Sequence, residues 1–165
     1  LFGTLGEKQV RDGFQIVTPS LGSLELQFQQ VSAVRYLTAR ASWPKNDPTV
    51  TTSDVIIKKT GDKAEGALLL IEKGQVTYHS TALQREVILK TEELAALLLV
   101  TDLEKAPNPP ASLYSILAAT DGSTLHGTIQ GLVSGILEFR DLHGMTHKVP
   151  VGSVASLYFR NGRVV

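Results

Sequence analysis

Three histidines in the last third of the chain are the residues whose types could hold a metal ion. His143 and His147 have the spacing His-x₃-His, and His126 lies upstream of them. On a helix this spacing brings two imidazoles onto one face, but on a strand or hairpin it does not. The sequence offers no third ligand at a suitable spacing. We therefore interpret the histidines as structural or solvated residues, and we predict neither a metal site nor a cofactor.

The carboxylates and glycines of the same region could suggest acid/base chemistry or phosphate binding. Asp121, however, starts an Asp-Gly turn, and Glu138 and Asp141 are expected on opposite faces of one strand. The spacing Gly122-x₄-Gly127 resembles a phosphate-binding loop but lacks the Lys-Ser/Thr that would follow it. The sequence thus predicts no catalytic residues and favours a protein that is not an enzyme.

Tyr36 and Trp43 are the candidate binding residues. An aromatic pair beside a proline-bearing segment could stack on a sugar or contact a peptide. The alternative is that Trp43, the only tryptophan, anchors this segment to a neighbouring domain. Near the end of the chain, Lys148, Arg160 and Arg163 could form a small basic patch. We interpret these charges as protection of edge strands against association.

A repeat organises the elements that would position these residues. Three glycines each lie two residues before an apolar position, and each is followed about 28 residues later by an apolar run. The repeat glycines are Gly3, Gly66 and Gly127, and the residues that open the later runs are Val31, Leu94 and Val154. Three matches at a period of about 61 to 63 residues predict three tandem copies, and a glycine within a strand indicates a bend or a close backbone approach.

The copies and their connections divide the chain into five segments. We predict repeat 1 at 1–37, without its first strand, a linker at 38–53, repeat 2 at 54–100, a Pro-rich linker at 101–112, and repeat 3 with a C-terminal tail at 113–165. The linkers carry Pro, Asn and Asp without apolar periodicity. Each copy is near the lower size limit for an independent core, so the copies are expected to pack on one another.

Period-two alternation predicts strands within each copy. In repeat 1 we expect a hairpin followed by a closing strand at Val31–Leu37. In repeat 3 a three-residue loop with Gly144 in the left-handed conformation would place Phe139 opposite His147. Glu92–Leu99 has high helix propensity, but its alignment with the third copy favours a short helical turn and then a strand.

Five short strands, a 3₁₀ turn before the fifth and a glycine in the second predict an all-β fold of tandem, small, partly open five-stranded barrels, SH3-like or Sm-like. The pattern Asp-Gly-x₄-Gly-Thr-Ile, a hairpin, Val-Pro-Val-x₂-Val-x₂-Leu-x-Phe resembles tandem repeats of large bacterial cell-envelope proteins. In those proteins the repeats precede a carbohydrate-binding module, which would lie beyond Val165. The resemblance implies a structural context and carries over no binding residue.

The composition bounds the function. Sixteen basic and sixteen acidic residues give zero net charge, which argues against a surface built for nucleic acid or an anionic membrane. There are no cysteines, and the longest purely apolar run, Leu94–Val100, is too short to span a bilayer. We predict a scaffold that spaces or docks neighbouring domains or partner proteins, outside the cytoplasm. The alternatives are Sm-like binding of single-stranded RNA and carbohydrate binding around Trp43.

The predicted first copy lacks its opening strand, so one strand edge of its barrel is expected to have no partner. A barrel without one member exposes unpaired backbone groups, and such an edge is either covered or becomes an association site. We expect Arg163–Val165 to pair with the Leu1–Leu5 edge, either in the same chain or in a second copy to form a homodimer.

Overall fold

The computed structural model describes residues 1–45, 50, 52–100 and 114–160. Within these residues the protein has fourteen strands and four short 3₁₀ segments. The strands are β1 Thr4–Leu5, β2 Gly13–Thr18, β3 Gly22–Gln27, β4 Ala33–Arg35, β5 Asp54–Lys58, β6 Lys63–Glu72, β7 Gln75–Ser80, β8 Arg85–Lys90, β9 Leu94–Leu98, β10 Tyr114–Ala119, β11 Thr124–Val133, β12 Ile136–Asp141, β13 Thr146–Pro150 and β14 Val154–Arg160. The 3₁₀ segments are Phe28–Gln30, Leu37–Ser42, Thr91–Glu93 and Val151–Ser153.

The strands form three antiparallel sheets, none of which is closed. The smallest sheet has the order β1-β2-β3. A five-stranded sheet has the order β13-β12-β11-β10-β14, and a six-stranded sheet has the order β4-β9-β5-β6-β7-β8. The predicted all-β class is confirmed.

The five-stranded sheet and the last five strands of the six-stranded sheet follow the same path. In each, four strands form a meander and a fifth returns to pair with the first. The long second strand has a bulge between Leu68 and Leu70 in one sheet, and between Ile129 and Gly131 in the other. A 3₁₀ segment precedes the returning strand in both sheets. The prediction of a helical turn and then a strand over Glu92–Leu99 is therefore confirmed.

The hairpin turns explain the register of the meanders. Lys73-Gly74 and Ser134-Gly135 both have positive φ at each central residue, the geometry whose twist matches two antiparallel strands. In the β12–β13 hairpin Gly144 has φ +85°, and Phe139 lies opposite His147. Both features of this hairpin agree with the sequence-based prediction.

The three repeat glycines lie where backbone approaches closely. A Cβ built on Gly3 would come 2.3 Å from the carbonyl oxygen of Val17. A Cβ built on Gly66 would lie 2.1 Å from the carbonyl oxygen of His79, and one built on Gly127 would lie 2.0 Å from the carbonyl oxygen of Arg140. Real Cβ atoms do not approach a backbone oxygen this closely, so a side chain at these positions would displace the neighbouring strand.

The chain forms two compact units. The first consists of Leu1–Thr4, Ile16–Leu24 and the described part of Ala106–Val165. Its core combines the β2–β3 hairpin with the five-stranded sheet, because both contribute buried apolar side chains to one cluster. The buried members of that cluster are Leu21, Leu24, Leu117, Ala119, Leu125, Leu137, Phe139 and Val149.

The second unit consists of Leu5–Gln15 and the described part of Glu25–Lys105. Strand β9 is its most buried element, since every residue from Leu94 to Leu98 is buried. Ala39 and Ile57 complete the buried cluster around β9, and Trp43 packs against it.

Repeat 1 differs from its predicted arrangement. We expected Val31–Leu37 to close a barrel of its own copy, but β4 instead pairs antiparallel with β9. The backbone N–H and C=O groups of β4 need partners, and the edge of β9 that faces away from β5 supplies them. The first residues of the predicted linker at 38–53 belong to the 3₁₀ segment Leu37–Ser42, and Ala39 is buried. The Pro-rich linker and Arg163–Val165 lie outside the described residues.

Candidate functional site

The His143-x₃-His147 motif surrounds the carboxylate of Asp141 at the end of β12. Oδ1 of Asp141 accepts hydrogen bonds from the backbone N–H groups of His143 and Met145, both at 2.9 Å. Oδ2 lies 2.8 Å from Nε2 of His147, whose side chain is buried. One carboxylate thus organises the hairpin loop and satisfies a buried imidazole.

This arrangement matches hairpin capping better than metal or acid/base chemistry. His126 is exposed, and its ring stacks on Tyr114 with centroids 6.3 Å apart. Glu138 lies opposite Lys148 on the neighbouring strand, with Oε1 3.7 Å from Nζ. Among the described residues there is no group of three or more His, Cys, Asp or Glu side chains that could hold a metal ion. The role of Asp141 was not predicted, although an Asp that accepts the backbone N–H two residues on is a recognisable turn signal.

Asp121 is a second carboxylate that joins segments distant in sequence. Its Oδ1 accepts from the Ser123 backbone N–H at 2.8 Å, and its Oδ2 accepts from the Ser20 backbone N–H at 3.0 Å. Burial raises the pKa of Asp121, but the hydrogen bonds from Ser123 and Ser20 outweigh that effect and hold the pKa below its ordinary value of 3.8. The aspartate therefore holds the β2–β3 turn onto the Asp-Gly turn of the first unit.

The lowered pKa of Asp121 predicts an acid-sensitive first unit. A carboxylate whose pKa is lower in the folded than in the unfolded state stabilises the fold above its unfolded pKa of about 3.9, and this stabilisation is lost as the pH falls through the folded value. Asp121→Ala should destabilise the first unit by about 1–2 kcal/mol at pH 7 and flatten its pH dependence below pH 4. Residue-resolved amide exchange at Leu117, measured from about pH 3 to pH 7, checks this. Equal pH dependence in both proteins would show that Asp121 does not stabilise the fold.

Tyr36 and Trp43, the predicted binding pair, lie on either side of a 3₁₀ segment in the second unit. Nε1 of Trp43 donates a hydrogen bond to the carbonyl oxygen of Tyr36 at 3.1 Å. The guanidinium groups of Arg35 and Arg40 lie 5.8 and 6.0 Å from the centre of the Trp43 ring. The indole thus uses its polar atom and its ring within the chain, as expected of an aromatic anchor.

Tyr36 is also partly buried. Its hydroxyl has no hydrogen-bond partner among the described residues, and burial raises its pKa well above the ordinary value. A sugar-stacking platform needs exposed ring faces, and Tyr36 is only partly exposed. The geometry therefore favours the anchoring interpretation of this pair.

Removal of the Trp43 ring should destabilise the second unit. Trp43→Ala deletes a partly buried ring that packs against the β9 cluster, so we expect a loss of about 2–4 kcal/mol in thermal unfolding followed by circular dichroism. Trp43→Phe, which keeps a ring but loses the N–H donor, should cost about half as much. If the parent chain is retained on a polysaccharide column and Trp43→Ala folds but is not, the carbohydrate interpretation replaces the anchoring one.

The outer edge of β14 carries Arg160, a charge expected to protect an edge strand against association, and also exposed aromatic residues that were not predicted. Within the described part of the chain, β14 pairs with β10 on one side only. Tyr158 is 57% exposed and Phe159 is 62% exposed. Adjacent residues of a strand point to opposite faces, so the two rings lie on opposite sides of β14. A strand edge without a partner is open to pairing with another strand.

Comparison with protein-family models, curated proteins and solved structures finds nothing that matches this chain. No helix among the described residues is long and apolar enough to cross a membrane.

Proposed function

We propose that the chain is a non-catalytic structural and interaction scaffold. Its units are small five-stranded barrels of the SH3-like or Sm-like kind, three in tandem with the first incomplete. They space neighbouring domains and dock partner proteins within a larger bacterial envelope or secreted protein. The chain's action is mechanical and geometric, and it needs neither a cofactor nor a metal.

The common path of the two larger sheets supports the barrel and repeat parts of the proposal. A four-stranded meander with a returning fifth strand is the strand order of small barrels of this kind. The bulges in β6 and β11 bend the second strand of each copy, as partial closure requires. The bulges and 3₁₀ segments recur at positions about 60 residues apart, close to the sequence period.

The observation that carries the scaffold function is the pairing of β4 with β9. Backbone N–H groups of Leu99 and Tyr36 donate to the carbonyl oxygens of Ser32 and Ala95, at 2.9 and 3.0 Å. These bonds join the closing strands of repeats 1 and 2 edge to edge. A strand edge used in this way joins copies by backbone hydrogen bonds and needs little sequence specificity, which suits an extended array.

The location outside the cytoplasm rests on the resemblance to envelope repeats. The partners proposed are neighbouring domains of the same polypeptide or other proteins. RNA binding, the main rival, requires a basic channel with stacking aromatics, while this chain has zero net charge and 6% aromatic residues. Retention of single-stranded RNA on a filter at about 50 mM salt would contradict the scaffold proposal, and we expect none.

A spacer must resist extension, so single-molecule force spectroscopy tests this function. Val34 lies opposite Leu97 in the β4–β9 pair. Val34→Pro removes a backbone donor from this short ladder, and Val34→Thr keeps that donor. We expect the second unit of the parent and of Val34→Thr to unfold in one step. Val34→Pro should release the β4 segment in a separate, earlier step.

The same experiment can contradict the proposal. If the second unit of the parent lengthens gradually, without a force-resisting step, then the chain is no spacer. If Val34→Pro extends like the parent, the β4–β9 pairing does not carry the load.

A further inference from the structure

The closing strands of repeats 1 and 2 pair about a local two-fold axis. The three closing runs open at Val31, Leu94 and Val154. The residues three positions later, Val34, Leu97 and Leu157, are therefore equivalent. Val34 lies directly opposite Leu97, so two equivalent residues face each other. Ala33 pairs with Leu98 and Arg35 with Ala96, which continues the register symmetrically on both sides. A register of this kind is what two identical strands form when a two-fold axis relates them.

The side chains at this pair are complementary in size. The position after the opener is small in every copy, and the position five after the opener is large. The small residues are Ser32, Ala95 and Ala155, and the large residues are Tyr36, Leu99 and Phe159. In the structure Tyr36 donates its backbone N–H to Ala95, and Leu99 donates to Ser32. Each large residue of one strand thus lies against the small residue of the other.

Strand β14 has the same features but no second neighbour among the described residues. Its bulge, which leaves Ala155 unpaired between Val154 and Ser156, matches the one in β9. All of β9 is buried, whereas Phe159, Tyr158 and Ala155 at the outer part of β14 are exposed. By the shared register, the Phe159 backbone N–H points toward the free edge, as the Leu99 N–H points toward β4. The edge is therefore equivalent to the one that β4 covers in repeat 2.

We infer that a second copy of this chain pairs with β14, antiparallel and in the β4–β9 register. Leu157 of each copy lies at the two-fold axis, opposite Leu157 of the other. Phe159 of each copy covers Ala155 of the other, and the two five-stranded sheets become continuous. In this dimer the contact is made by β14, and the expected pairing of Leu1–Leu5 with Arg163–Val165, which lie outside the described residues, stays a separate prediction. This inference rests on the proposed scaffold function, for which it names the partner.

Two pairs of variants test this interface. Ala155 is exposed, so Ala155→Glu leaves the fold intact while placing a carboxylate against Phe159 of the other copy. Ala155→Ser is the matched control, because serine occupies the equivalent position in repeat 1. Phe159→Pro removes the outward N–H, a change that an edge strand tolerates in a monomer, and Phe159→Thr keeps the N–H.

The measurement is sedimentation equilibrium of the full chain between about 1 µM and 1 mM. We expect the parent and Ala155→Ser to double in mass over this range, Phe159→Thr to dimerise more weakly, and Ala155→Glu and Phe159→Pro to remain monomeric. A parent that stays monomeric, or an Ala155→Glu variant that dimerises like the parent, overturns the inference.

Amide exchange of the parent distinguishes the other possible occupants and requires no variant. A dimer predicts that the Leu157 and Phe159 amides gain protection as the protein concentration rises. Protection that is complete in a monomer at every concentration would show that another part of the same chain covers the edge. Both amides exchanging freely at all concentrations would show that nothing covers it. The force experiment on single molecules is independent of dimerisation, so the scaffold proposal and this inference fail separately.

Discussion

Gly127→Ala should lower the free energy of unfolding of the first unit by about 2–4 kcal/mol, and its melting temperature by roughly 10–20 °C. The added Cβ would lie 2.0 Å from the carbonyl oxygen of Arg140 on the neighbouring strand. Because this oxygen is a backbone atom, it cannot move away by a side-chain rotation, and β11 and β12 must separate locally. Thermal unfolding of the parent and the variant, monitored by circular dichroism and by amide exchange at Leu117, measures the loss.

Gly131→Ala is the matched control for this prediction. Gly131 lies in the same strand, and a Cβ built on it meets no atom within 4 Å. We expect a change of no more than about 0.5 kcal/mol. If both variants have the same melting temperature, the close backbone approach at Gly127 does not affect the free energy of unfolding. The structural role assigned to this glycine would then be wrong.

Asp141→Ala should be comparably damaging, with a loss of about 2–4 kcal/mol in the first unit. The substitution removes the acceptor of two loop N–H groups and leaves Nε2 of His147 buried without its partner. Buried polar groups that lose their partner cost more than the lost bond alone, because they have also lost contact with water. Chemical denaturation of the first unit, followed by residue-resolved exchange, gives the magnitude.

Two substitutions separate loop capping from other roles of this cluster. His143→Ala keeps the backbone N–H that Asp141 accepts, so it should change stability by less than about 0.5 kcal/mol. Asp141→Asn keeps one acceptor and should be intermediate between the parent and Asp141→Ala. A stable Asp141→Ala variant would contradict the account of the hairpin.

The parts of the fold that follow from local pattern could be predicted from the sequence. Alternation and turn residues predict strands at Gln75–Ser80, Arg85–Lys90, Ile136–Asp141 and Val154–Arg160, and β7, β8, β12 and β14 have these bounds. Glu92–Leu99 shows that a place within a sheet can override helix propensity, because β9 pairs with β4 on one side and with β5 on the other. Gly144 was predictable because a three-residue hairpin loop requires a left-handed residue.

The pairing of β4 with β9 could not be predicted because it joins strands that are far apart in sequence. Nothing in Val31–Leu37 indicates which strand edge will receive it, so its pairing with β9 appears only in the structure. Likewise, the alternation that places Asp141 at the end of a strand does not show which donors converge on its carboxylate. The small residue at Ala155 and the large residue at Phe159 suggest a complementary strand pair only after the pairing of β4 with β9 is known.

The pairing of two closing strands is the central claim, and nuclear Overhauser contacts between Hα protons test it most directly. In an antiparallel sheet, non-hydrogen-bonded pairs have Cα atoms about 4.5 Å apart and their Hα protons close together. The account predicts Hα–Hα contacts between Ala33 and Leu98 and between Arg35 and Ala96. The absence of both contacts in a folded sample, or contacts from β4 to any strand other than β9, would contradict it.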